Sequence, residues 1–186
     1  MTPAGGILNT LAGLTAAGYN RARRGQRRRL QLRVRKHLRR LERVWLQDPI
    51  YFVTTCTYRR NPILASGQVA KILIHEWSSA RERHGWAIGR YVIMPDHVHF
   101  FCAPELSAKT LPIFVGSWKE WTSKAIKGQL RRTGSVWQEE FFDHVLRSSE
   151  SYSEKWNYVR NNPVRHGLVA NADDWPWQGE IEELRL

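Results

Sequence analysis

The sequence predicts an α+β domain: an antiparallel sheet with helices packed on one face, preceded by a basic N-terminal extension. Three observations predict it. Runs of β-branched and aromatic residues are bounded by turn residues, apolar residues recur at helical spacing between those runs, and a tight turn joins two of the runs into a hairpin. At 186 residues with 42% hydrophobic content, the chain supports one core of ordinary size.

Ile50 to Tyr58 (IYFVTTCTY) reads as a strand that closes at Asn61-Pro62. From Ser66 to His84, the residues Val69, Ile72, Leu73, Trp77 and Ala80 share one helical face, and Gly85 is the stop. Trp86 to Met94 and His97 to Cys102 are strands joined around Pro95-Asp96, hence an antiparallel hairpin. A second helix runs from Thr110 to Lys127 with Leu111, Phe114, Trp118, Trp121 and Ala125 on its core face. Val136 to Arg147 is ambiguous and places a fourth strand at His144 to Arg147. The last helix spans Ser151 to Asn162, opened by a Ser151/Glu154 capping box and stopped by Pro163. Strand, helix, strand, strand, helix, strand is the ferredoxin-like order, which leaves one sheet face free to carry a site.

Charge divides the chain further. The net charge is +12, yet residues 1–43 hold twelve of the 29 basic residues and a single acid, Glu42. The basicity therefore belongs to an Arg-rich arm (1–43), not to the domain expected at 44–170 or to the acidic tail expected at 171–186. Such an arm is either a phosphate-binding segment, with Arg27, Arg28 and Arg29 at its densest part, or a solvated tail. Ile7 to Gly18 is too short to span a bilayer, and its positive charge follows it, so neither a membrane helix nor a secretory signal is expected. The absence of serine from the first forty residues weighs against an organellar transit peptide. Cys56 and Cys102, the two cysteines, make neither a disulfide framework nor a CxxC zinc site, and a reducing cytosol is the expected compartment.

The chemistry-bearing residues cluster in two places. His97 and His99 flank Val98 in a strand, so both imidazoles face one side while Val98, Phe100 and Cys102 face the core. Two neutral imidazoles suit a divalent metal, including Mg²⁺ or Mn²⁺ where oxygen ligands complete the shell, although an HxH pair alone is equally often structural. Tyr158 and Asn162, four residues apart, lie on one helical face away from the apolar stripe Tyr152, Trp156 and Val159, at the edge of the polar side, and neither reads as buried. A lone tyrosine is usually packing, and an asparagine before a proline is usually a helix-end residue. Together, though, a histidine pair, a tyrosine and an amide oxygen meet the needs of phosphodiester transesterification. A metal polarises the phosphate and the phenol attacks in line, storing the bond as a phosphotyrosine. Asp96 suits either a carboxylate that orients a metal-bound imidazole or the closing residue of a turn. Trp175 and Trp177 are expected to pack on the core rather than stack on bases.

Three segments, YVIMPDHVHFFCAP (91–104), VWQEEFFDHVLRSSE (136–150) and YVRNNPVRHGLV (158–169), resemble the REP-associated tyrosine transposases, grouped with the IS200-like transposases among the HUH endonucleases. The resemblance covers residues 45–170. It implies His97 and His99 as metal ligands, Tyr158 as nucleophile and Asn162 as the residue completing the metal shell. It further implies cleavage and rejoining of single-stranded DNA beside palindromic hairpins, with a 5′-phosphotyrosine and a free 3′-OH, in the bacterial cytoplasm at the nucleoid. The enzyme would act as a monomer or a homodimer. Arg147, Arg160 and Arg165, with His166, are candidate phosphate contacts, and the acidic tail is a candidate screen for the basic arm. A hairpin-binding protein that no longer cuts accounts for the arm and fold, but needs none of the four site residues. A metal-dependent hydrolase of small substrates predicts activity without the Tyr158 hydroxyl.

Overall fold

The computed structural model describes residues 49–146 and 148–184, so the basic arm lies outside the described residues. The elements run β1 (Ile50–Thr57), α1 (Gly67–Ser78), α2 (Ala80–His84), β2 (Trp86–Met94), β3 (His97–Pro104), α3 (Leu111–Leu130), β4 (Trp137–Leu146), α4 (Ser149–Arg160), α5 (Asn162–Arg165) and β5 (Gln178–Glu180). Among the described residues the strands form one sheet in the order β4-β1-β3-β2-β5, every pair antiparallel. Its first four strands follow the order that the alternation of strands and helices predicts.

Local chemistry sets most boundaries. Ser66 caps α1, its Oγ accepting from the Val69 N–H at 3.4 Å. The single helix expected over 66–84 breaks at Ser79, whose N–H and Oγ both turn back to the His75 carbonyl. Gly85 ends α2 at φ +74°, and a Cβ there would sit 2.8 Å from Ala108 Cα, so both backbone and space require glycine. The Pro95-Asp96 turn is pinned by β1. The Thr57 N–H and Oγ1 donate to the Asp96 carbonyl at 2.9 and 3.0 Å, and the Leu64 N–H donates to the Pro95 carbonyl.

The sheet buries both faces. On one, Val53, Val98, Phe100 and Cys102 pack under α1, α2 and α3, where Trp77 and Trp118 stack at 5.3 Å. On the other, Ile50, Phe52, Val92, Met94 and Phe101 pack under Tyr152 and Val159 of α4, with Leu168 and Trp175. Helices α1 to α3 thus share a face as expected, while α4 crosses to the face expected to be free and leaves part of it open. Strand β2 shows the double cover in its sequence, apolar on both faces except at Gly89-Arg90.

Several expectations change. Trp121 is 51% exposed; the buried face of α3 instead carries Leu111, Phe114, Val115, Trp118, Thr122 and Ile126. The fourth strand begins at Trp137, seven residues before the expected start, because β1 supplies a partner along its length. Ser148, not Ser151, caps α4, its Oγ accepting from the Ser151 N–H at 3.1 Å. Asn161 breaks that helix, and Pro163 opens α5 where it was expected only to stop a helix. The segment expected as an acidic tail enters the fold. Strand β5 pairs with β2, and the Trp175 indole donates to the Ile93 carbonyl at 3.0 Å. Its acids are engaged within the domain, Glu180 with Arg90, Glu182 with Arg81 and Asp173 with Arg160. No helix among the described residues is long and apolar enough to cross a membrane.

Candidate active site

The imidazole pair is built on the central strands. His97 stands opposite Cys56 and Met94, and His99 opposite Thr54 and Val92, on the α4 side of the sheet. The two rings meet edge to face at 4.8 Å. Each has its Nδ1 anchored: His97 lies 2.6 Å from Asp96 Oδ1, and His99 lies 2.7 Å from Thr54 Oγ1. With Nδ1–H directed to these oxygens, Nε2 of each ring keeps its lone pair for an electrophile. Phe52 stacks on His99 at 5.5 Å and fixes its plane.

Burial keeps the pair uncharged. It pulls His97 below the ordinary imidazole pKa, outweighing the opposing pull of the Asp96 carboxylate. It pulls His99 well below that value, helped by the neighbouring His97, Arg60, Arg165 and His166. Asp96, 1% exposed, also faces Arg60 at 3.7 Å, which neutralises a carboxylate that would otherwise be costly to bury.

The remaining residues come from the α4–α5 junction. Asn162 is 6% exposed, against the expectation that it sits at the polar edge, while Tyr158 is 60% exposed. The break at Asn161 separates their environments, so they do not stack on one continuous helix. Arg165 joins them: its guanidinium lies 3.8 Å from the centre of the Tyr158 ring and donates to Asn162 Oδ1. His166 closes the group, with Nδ1 2.8 Å from the Asn162 carbonyl oxygen and its ring 6.2 Å from that of His97. Lys155, one turn before Tyr158, lies 5.8 Å from the Tyr158 ring and 5.2 Å from the Phe52 ring. One end of the sheet therefore gathers the imidazole pair, Asn162, Arg165 and, through Arg165, Tyr158.

Of the arginines considered as phosphate contacts, Arg160 is held by Asp173 and Arg165 by Asn162. Arg27, Arg28, Arg29 and Arg147 lie outside the described residues. Thr54, Arg60 and Lys155 escape a reading of the sequence. Lys155 alone leaves a signal there, being three residues before Tyr158 on one helix.

As a metal site the donors are two imidazole nitrogens and one amide oxygen. Among the described residues no group of three His, Cys, Asp or Glu side chains could hold an ion. Neutral imidazoles anchored through Nδ1, with Nε2 left as the ligating atom, nonetheless fit a divalent ion whose remaining positions are filled by water or phosphate oxygens.

Comparison with known proteins places the chain in a family. Residues 47–162 match the family described as Transposase IS200 like. A REP-associated tyrosine transposase of Escherichia coli K12 is 27% identical over 139 residues, covering 73% of this chain and 78% of its own. The solved structure of a REP-associated tyrosine transposase bound to a REP hairpin superposes with a TM-score of 0.59 at 24% identity, covering 75% of this chain and 81% of that one. That likeness establishes the shared fold.

Proposed function

Because the chain belongs to the IS200-like transposase family, we propose that this transposase cuts and rejoins single-stranded DNA beside palindromic hairpins, using Tyr158 as nucleophile and a divalent metal, Mg²⁺ or Mn²⁺. The observation that carries the reading is the anchored imidazole pair, which mere DNA binding does not require, at the same end of the sheet as an exposed tyrosine held under a guanidinium. His97 and His99, with Asn162, would hold the metal, which when bound supplies Lewis-acid stabilisation of charge on the scissile phosphate.

The chain's own residues do the rest. Asp96 and Thr54 hold the imidazoles in place, and burial keeps them neutral. Arg165 fixes the plane of the Tyr158 ring while leaving its edge exposed. The phenol loses its proton as its oxygen attacks phosphorus; the P–O3′ bond breaks, and the departing oxygen takes a proton to become a free 3′-OH. The phosphotyrosine keeps the bond energy, so reversal by a 3′-OH rejoins DNA without ATP. The E. coli relative is named for REP elements and the solved neighbour holds a REP hairpin, which supports a hairpin substrate on the bacterial chromosome.

The test incubates labelled hairpin DNAs with single-stranded flanks and Mg²⁺ or Mn²⁺, comparing wild type, Tyr158→Phe and the double variant His97→Ala/His99→Ala on denaturing gels. A denaturation-resistant adduct on the 5′ side, absent from both variants, is expected. Cleavage persisting in Tyr158→Phe would make water the nucleophile. Hairpin binding with no adduct in either metal would leave a binding protein only.

A further inference from the structure

The exposed aromatic on strand β4 has no part in the chemistry above. β4 is an edge strand whose side chains alternate. Phe141 packs with the core on the α3 side, where Lys119 Nζ lies 5.4 Å from its ring. Phe142, His144 and Leu146 therefore face the imidazole side. Leu146 is buried there beside Ile50 and Phe52, whereas Phe142 stands 47% exposed and His144 is also open.

Register places Phe142 in a row with the site. It is opposite Thr54, and Thr54 is opposite His99, whose ring it touches. Two strand spacings separate Phe142 from His99, roughly 9–10 Å. That is the span of about three nucleotides stacked at about 3.4 Å each. Beside this row, Lys155 lies over Phe52, the residue opposite His144, and next to Tyr158. A scattered exposed phenylalanine needs no explanation. This one is held by a rigid sheet, in register with a metal-ligating histidine, with a lysine and a nucleophile alongside. An unpaired base fits such a place, since aromatic side chains on open sheet faces stack bases whatever their identity.

We propose that Phe142 is the stacking platform for an unpaired base two or three nucleotides from the scissile phosphate, with Lys155 contacting a phosphate between them. The inference rests on the assignment of Tyr158 and the imidazole pair, and it supplies what that assignment lacks: how single-stranded substrate is kept in line with the site.

The experiment uses the full chain and a hairpin whose single-stranded flank carries 2-aminopurine at successive positions, measuring fluorescence, binding and adduct formation with wild type, Phe142→Ala and Phe142→Trp. Quenching at one or two positions near the cleavage point is expected, lost in Phe142→Ala. The alanine variant should bind flanked hairpin about 5- to 100-fold more weakly, with the loss in KM rather than kcat and none for a blunt hairpin; tryptophan should restore binding. Equal affinity and quenching in Phe142→Ala would overturn the proposal. So would a change in sedimentation from dimer to monomer with DNA affinity kept, because the face would then belong to a second copy. Binding and quenching are read at equilibrium, so absence of an adduct in wild type would count against Tyr158 and leave Phe142 to be judged separately.

Discussion

Arg165 holds two groups that the proposed chemistry needs, the Tyr158 ring by its face and the Asn162 amide by hydrogen bond. Arg165→Lys keeps the charge but loses the planar face and the fork, so charge alone should not rescue it. Single-turnover adduct formation should fall roughly 10- to 100-fold in both Arg165→Ala and Arg165→Lys, the scale of a misplaced reacting group; a fully active lysine variant would reduce the role to electrostatics. Asp96 works at one remove. Asp96→Ala frees the His97 ring to turn, and Mn²⁺ affinity measured by titration calorimetry should drop by about 10- to 100-fold. The two thiols should differ as well. Cys102 is fully buried beside the core, which raises its pKa well above the ordinary thiol value, whereas Cys56 is half-buried opposite His97. A thiol-disulfide reagent should titrate at most one cysteine in the native protein and two after unfolding; two native equivalents would mean that the sheet opens readily.

Elements carry different amounts of their own instruction. The β2–β3 hairpin was legible because its signals are local: alternation fixes the histidine face, and Pro95-Asp96 fixes the turn. The α4–α5 junction was not. Asn161 and Pro163 signal a stop, yet a proline at the first turn serves equally to begin a helix, and tertiary packing selects the second use here. Burial of Asn162 follows from that junction and has no sequence signature, so the helical spacing of Tyr158 and Asn162 named the pair without giving its geometry. The cap of α4 was displaced by three residues because Ser148 and Ser151 offer the same chemistry, and their hydroxyls lie 3.0 Å apart. Ser148→Ala should cost about 1 kcal/mol by removing the acceptor for the Ser151 N–H. Ser151→Ala should cost less, and thermal unfolding of the two variants compares them directly. Equal losses would assign the cap to both hydroxyls.

At the scale of the molecule, the segment after α5 completes the sheet, although Gln178–Gly179–Glu180 carries no strand pattern. Its conformation is imposed by β2, which is why composition suggested a tail. Trp175, 3% exposed and bonded to the Ile93 carbonyl, anchors it. Trp175→Ala should destabilise the domain by about 3–5 kcal/mol, the usual cost of emptying a tryptophan site, seen as a lower denaturation midpoint with adduct chemistry kept in the fraction still folded. The bond from Trp175 to Ile93 joins residues 82 apart in sequence. During synthesis the strand that carries the histidines therefore leaves the ribosome long before the segment that closes the neighbouring edge. A nascent chain that has not yet made Trp175 displays the outer edge of β2 unpaired, so the interval of greatest exposure to misassembly falls between translation of the histidine-bearing strand and translation of β5.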